Sequence, residues 1–315
     1  MNTRGVSTLV LMAALVSGCS KAAQQPATDQ DVIGSVRAAI AARDLSAGAR
    51  ILSDFRSAHG TTTEAIEALS WLARGALAAK EFDAADRYAS EAYTLAVTAL
   101  KGLKLEEDTH LQTALGAAIE TAALVGVERG ERADAVSLLR REIETYHDSP
   151  IHKRLAKNLN LLSLEGQPAL PLETGEYLDR PAPSFAQLNG KVVLLFFWAH
   201  WCPDCKIEGP IIAKLLEKYR AQGLEIVAPT QRYGYVTAGR PAPPDQELRH
   251  IIDVRDTYYG FLRDQAVPVS EANHRRYGVS STPTLVLLDR RGLVRVYHPG
   301  RMTEEELEAA IRMLL

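Results

Sequence analysis

Cysteine is scarce in this sequence, long apolar runs are missing, and neither sign of charge dominates. Only Cys19, Cys202 and Cys205 occur in 315 residues. That is too few for the disulfide framework of a small secreted domain, which uses four or more cysteines in a short chain. No segment offers the run of about 20 apolar residues that a membrane-spanning helix needs. A net charge of -3, with no long basic stripe, argues against a nucleic-acid binder. What is present is ordinary for a globular protein: 46% hydrophobic and 24% charged residues. The length suits two domains of about 100–200 residues each.

The N-terminus carries an address. Arg4 precedes a short apolar run, Leu9–Val16, which suits the h-region of a secretory signal. The run ends in Val16-Ser17-Gly18-Cys19, which resembles the lipobox of bacterial lipoproteins. That resemblance implies a signal peptide over 1–18, acyl chains on Cys19 and an anchor facing the periplasm. Ser20 in place of Asp favours the outer membrane by the same resemblance. A plain cleavable signal is the alternative. Residues 19–30, including "SKAAQQPATDQ", are polar and aperiodic and read as a tether.

Residues 31–165 are rich in Ala, Leu, Glu and Arg, with apolar positions at helical spacing. The stretches "AARDLSAGARIL" (41–52), "AAKEFDAADRYA" (78–89) and "ERGERADAVSLL" (128–139) each set a short polar turn between two amphipathic helices. They resemble tetratricopeptide-type helical hairpins, although their spacing is uneven and the full repeat pattern is absent. Such hairpins imply either a partner-binding surface or a helical spacer. The proline-rich stretch "GQPALPLETGEYLDRPAPSF" then marks a boundary, with a linker over 166–180.

From 181 to 315 the pattern alternates between strands and helices. "KVVLLFFWA" (191–199) is a continuous apolar strand of the kind buried on both faces. Pro203–Gln222 reads as a helix and 223–230 as a second strand. An irregular loop "QRYGYVTAGRPAPPDQ" and a helix over 245–265 follow. A short helix over Ser270–Tyr277 leads to a hairpin of "TLVLLD" and "GLVRVYHP". A last helix opens on the capping box Thr303-Glu304-Glu305-Glu306.

The chemistry concentrates at Cys202-Pro203-Asp204-Cys205, between the first strand and its helix. Unpaired N–H groups and the macrodipole at a helix N-terminus stabilise a thiolate. Cys202 is therefore expected to be exposed and nucleophilic. Cys205, a turn further in, is expected to be shielded and to resolve the mixed disulfide. A structural zinc site wants four ligands, and only His200 is near. A c-type haem needs His where Lys206 stands. A structural staple across so short a loop removes little unfolded-state entropy. No metal or separate cofactor is needed beyond the redox-active pair.

The segment 181–315 resembles the thioredoxin superfamily, in its branch of TlpA/ResA-type extracytoplasmic thiol–disulfide oxidoreductases. The resemblance rests on "LNGKVVLLFFWAHWCPDCKIEGP", "GLEIVAPT" and "YGVSSTPTLVLLDRRGLVRVYHPGRMTEEEL". It implies an α/β thioredoxin fold with a central mixed sheet behind the helical domain. Glu208 sits in the branch's Cys-x-x-Cys-x-x-Glu-x-Pro pattern. The resemblance implies that Glu208 shuttles a proton to Cys205, and that Trp201, Thr282 and a cis Pro283 meet an extended substrate. Phe196 stands where cytosolic thioredoxins usually carry a buried Asp. Pro210 is expected to kink the helix. Asp204, beside the thiolate, should make the pair more reducing.

The functional expectation is an envelope enzyme that reduces protein disulfides and draws electrons from a membrane thiol donor. A scaffold lipoprotein with an incidental or regulatory redox pair is the alternative. The loop 231–246 is expected either near the active face, selecting partners, or as decoration at the sheet edge. His200 is expected to face solvent, and His274-Arg275-Arg276 to form a solvated helix face.

Overall fold

The computed structural model describes residues 31–315, so the signal, the tether and Cys19 lie outside the described residues. Seven helices come first: α1 (Asp31–Ala41), α2 (Leu45–His59), α3 (Thr63–Ala78), α4 (Phe82–Ala99), α5 (Thr109–Glu128), α6 (Arg132–Thr145) and α7 (His152–Ser163). Each of the three polar stretches noted above turns one helix into the next. The turns share one geometry, with positive φ at Arg43 (60°), Lys80 (61°) and Gly130 (85°). Capping defines other helix starts. Asp44 Oδ1 accepts from the Ala47 N–H at 2.7 Å, and Asp108 Oδ1 from the Leu111 N–H at 2.9 Å.

Helix α5 is the hub of this unit. Leu111, Leu115 and Ile119 are buried along it, and so are the small residues Ala114, Ala117 and Ala118, which let α3 and α4 approach closely. One polar residue of α5, Glu120, faces α7, where Arg154 and Lys157 meet it.

The C-terminal unit contains β1 (Tyr177–Leu178), β2 (Val192–Phe197), α8 (Pro203–Tyr219), β3 (Leu224–Val227), β4 (Tyr235–Thr237), β5 (Arg240–Pro241), α9 (Pro244–Tyr258), β6 (Val267–Pro268), α10 (Glu271–Arg276), β7 (Thr284–Leu288), β8 (Val294–Pro299) and α11 (Glu304–Leu314). The main sheet has the order β3-β2-β7-β8. Strand β2 runs parallel to β3 and antiparallel to β7, which pairs antiparallel with β8. The sheet is therefore mixed. Backbone bridges carry it beyond β3 to the 266–269 segment, and β1 pairs with β6.

Strand β2 is buried at every position. Leu194 and Phe196 join the core formed with α8 and α11, while Val193, Leu195 and Phe197 join the one that holds Tyr277 and Val294. Alternation along one strand therefore feeds two cores. The first part of the 166–180 stretch runs along the second of these faces, while Leu178 joins the first core. Leu170 and Leu172 pack on the second face, and the Leu170 carbonyl accepts from the Tyr277 hydroxyl at 2.6 Å.

The two units meet through α7 and α10. His274, expected on a solvated face, is fully buried, with its ring edge-on to Phe197 at 5.4 Å. Burial pushes its pKa down to about 3, which keeps it neutral. Arg275 and Arg276 do not point freely into solvent either. Arg275 donates to the His147 carbonyl, and Arg276 to the Pro171 carbonyl at 2.6 Å. The expectation failed because only the start of α10, Glu271 and Ala272, is exposed, while the helical unit and the 166–180 stretch cover the rest.

A close approach lies at Gly278, just past α10. Its φ is +62°, and a Cβ there would lie 2.2 Å from the Lys157 backbone nitrogen. Only glycine lets the backbone of α7 settle against the loop that leads to Pro283. Gly278→Ala is expected to cost about 2 kcal/mol or more, and to lower the melting temperature by several degrees. Thermal unfolding that matches the wild type would contradict this docking.

Candidate active site

Strand β2 ends at Phe197, and the next residues turn towards α8. The turn is fixed from below. Trp198 donates its Nε1–H to the Ala228 carbonyl at 3.1 Å, and its own carbonyl accepts from Thr230 Oγ1 at 2.9 Å. Cys202 then occupies the N-cap of α8, with extended backbone, and Pro203 follows at the first helical turn. Proline suits that place, because its missing N–H would have no helical partner there.

Cys202 and Cys205 form a disulfide with 5.3 Å between Cα atoms. Cys202 Sγ accepts from the Cys205 backbone N–H at 3.0 Å and lies 3.3 Å from the Thr282 carbonyl oxygen. In the reduced state the same N–H and the α8 dipole would favour a thiolate at Cys202. The Thr282–Pro283 peptide bond is cis. Trp201, Cys202, Thr282 and Pro283 therefore come together although 80 residues separate the two segments.

The expectation of an exposed Cys202 is corrected here. Cys202 is 1% exposed and Cys205 0%, whereas Trp201 is 44% exposed. The Thr282 carbonyl covers Cys202 Sγ, and Trp201 stands at the mouth of the site. Short-range reasoning located the N-cap but could not see a loop from far along the chain closing over it.

Glu208 lies on the same face of α8 as Cys205 and is completely buried. Neither carboxyl oxygen has a hydrogen-bond partner. Burial is the main cause that raises its pKa to about 7. The Met302 backbone amide, near but outside hydrogen-bond geometry, and Arg301 pull the other way. Next on the helix, Gly209 gives room to Tyr259, whose ring would sit 2.7 Å from a Cβ there. Helix α8 runs unbroken through Pro210.

Asp204 is exposed, and Arg301 reaches to 3.8 Å of it. That cation offsets part of the field Asp204 would impose on the sulfurs, though little passes between two groups so open to solvent.

His200 was expected to face solvent, and it is buried instead. Its Nε2–H donates to Glu247 Oε1 at 3.3 Å. Glu247, also buried, accepts from the Tyr233 N–H at 2.5 Å and the Gly234 N–H at 2.9 Å. Burial first, and then His250, hold the His200 pKa down, against the pull of Glu247. This buried pair ties the 231–246 loop to the residue before Trp201, and the Tyr233 ring packs on Trp201 with centroids 5.4 Å apart. The loop is thus part of the active face. Its anchor, Glu247, was missed because a helical Glu gives no sequence signal of its inward aim.

A disulfide at the start of a helix, on a mixed sheet and beside a cis-proline loop, defines a thiol–disulfide exchange centre. The family model and the sequence relatives agree. A thioredoxin-like domain matches residues 182–314. The thiol–disulfide oxidoreductase ResA of Halalkalibacterium halodurans is 30% identical over 139 residues, 44% of this chain and 71% of that protein. The thioredoxin-like protein YneN of Bacillus subtilis is 33% identical over 146 residues, 46% of this chain and 76% of that protein. A solved thiol:disulfide interchange protein from Chlorobium tepidum is 21% identical, with a TM-score of 0.38, over 47% of this chain and 96% of that one. The chain belongs to the thioredoxin-like thiol–disulfide oxidoreductases, and its redox centre is an enzyme site.

Glu208 gives a pH signature. Its folded pKa is above the ordinary value, so between that value and about pH 7 the fold keeps it neutral while the unfolded chain ionises it, and the full cost is reached above about pH 7. Wild-type stability should fall as pH rises from the ordinary carboxyl range through about 7. Glu208→Gln should remove this fall, worth roughly 1–3 kcal/mol. The same variant should lose the inflection near pH 7 in the single-turnover exchange rate. A rate profile unchanged by the substitution would rule out proton transfer by Glu208.

Proposed function

We propose that this protein reduces disulfides in protein substrates, with Cys202 as the attacking sulfur. The observation that carries the reading is the placement of Cys202 Sγ, at the N-cap of α8 and 3.3 Å from the Thr282 carbonyl. In the dithiol state the Cys202 thiolate attacks one sulfur of the substrate disulfide. A mixed disulfide forms, and the other substrate sulfur leaves as a thiolate that takes up a proton. Cys205 gives its proton to Glu208, and its thiolate attacks Cys202 Sγ. The second substrate sulfur leaves and is protonated, and the Cys202–Cys205 disulfide closes. Two electrons pass to the substrate, which ends as a dithiol.

Thr282 offers backbone groups to an extended chain, and that mode tolerates varied sequences. The acidic residue inside the loop, Asp204, supports the reducing direction, since it disfavours an anionic dithiol. Its exposure and the nearby Arg301 keep the effect small. Sustained turnover in an oxidising envelope needs a thiol donor, which we place at the membrane. A lipid on Cys19 would hold the enzyme there, on the periplasmic face. The apolar Leu9–Val16 run and the residues up to Cys19 support that location.

With dithiothreitol as electron source, the wild type should reduce insulin and Cys202→Ser should not. Cys205→Ala should accumulate a mixed disulfide through Cys202. Trapping through position 205 in Cys202→Ala, at equal yield, would reverse the assignment. Asp204→Asn should make the potential less negative, by less than about 30 mV. A glutathione titration that moves it the opposite way would remove the electrostatic argument for a reductant.

A further inference from the structure

The helical unit does not stand apart from the redox centre. Between α5, α7 and the active face lies an open cleft of about 620 Å³, lined at one end by Trp201 and Thr282. Those two residues flank Cys202, so the cleft leads to the reactive sulfur. Its wall on the helical side carries four cations, Arg74, Lys153, Arg154 and Lys157, and one carboxylate, Glu120.

These cations are held in place. Arg154 lies across Gly116, where a Cβ would come within 3.0 Å of its Cδ. Its Nε and one terminal nitrogen donate to Glu120 Oε2 at 2.8 and 2.5 Å, and Lys157 Nζ donates to Glu120 Oε1 at 3.0 Å. One carboxylate therefore serves two cations. Lys153 reaches the Gln231 Oε1 at 3.3 Å and Glu271 at 3.2 Å, which links this wall to the 231–246 loop. Arg74 stacks on Trp71 at 4.3 Å, and among the described residues no carboxylate lies within ion-pair distance of it. Burial, and next the neighbouring Arg154 charge, hold its pKa below the ordinary value, against the pull of Glu120.

We propose that this cleft is a substrate subsite that takes an acidic peptide segment beside the disulfide to be reduced. The proposal rests on the reductase reading above and adds a substrate class to it. The excess cations sit half-buried, where water shields them less than at an open surface, so an incoming carboxylate gains more from them. The cis-proline loop binds backbone, which is blind to sequence. The cationic wall, donated by the other unit, supplies discrimination by charge.

The test uses pre-reduced full-length protein and three disulfide peptides that differ only in flanking residues: glutamates, glutamines or lysines. Single-turnover rate constants should favour the glutamate peptide over the lysine peptide by about tenfold at low ionic strength. The ratio should shrink towards one as salt is raised, and fall at least threefold in Arg74→Gln/Lys153→Gln. Equal rates for the three peptides, or a ratio indifferent to salt and to the double substitution, would overturn the subsite while leaving the reductase intact. No reduction of any of the peptides would overturn both. The wild-type salt series stands even if the double variant folds poorly.

Discussion

The sulfur of Cys202 accepts a backbone N–H at the first turn of α8, and most of the C-terminal unit serves to hold that contact. A helix N-terminus favours an anion only if the helix, the preceding turn and the sulfur keep their relation. Strand β2, buried on both faces, supplies the rigid approach. Trp198 and Thr230 lock the turn, and Tyr259 packs into the space that Gly209 leaves on the core face of α8, against Trp198. The sulfur is thus placed by packing from several directions.

The second constraint is close contact between units. The backbone of α7 seats directly on Gly278, which stands just before the loop that carries Thr282 and Pro283. A helix docked there cannot shift without moving the loop that covers Cys202. The same helix presents Lys153, Arg154 and Lys157 towards the cleft. One docking surface therefore sets both the shape of the reactive loop and the charge beside it. The 231–246 loop, pinned by the buried His200–Glu247 pair, forms the opposite bank through Tyr233.

Much of this was legible locally. The apolar run at 191–199 became β2 (Val192–Phe197), the helix after Cys202 began at Pro203, and the Thr303–Glu306 box caps α11 through both of its reciprocal bonds. Three turns of the helical unit, at Arg43, Lys80 and Gly130, fell where polar residues interrupt alanine-rich periodicity. Periodicity, proline and caps act within a few residues, so one segment suffices to read them. The misreadings came from contacts between distant segments. Cys202 is covered by Thr282, His200 is paired with Glu247, and His274 is buried under neighbours from outside its helix. The basic residues of α7 gave no local sign that they would line the cleft beside Trp201 and Thr282.

Reactivity that originates at the N-cap of α8 requires the two cysteines to differ in acidity in the reduced protein. A pH titration of ultraviolet thiolate absorbance, with Cys202→Ser and Cys205→Ser to assign each step, measures this. Cys202 should ionise first, clearly below the ordinary thiol value of about 8.5, and Cys205 well after it. If Cys205 ionised first, or if both sulfurs titrated at the ordinary value, the N-cap of α8 would not be the source of reactivity and the account would fail.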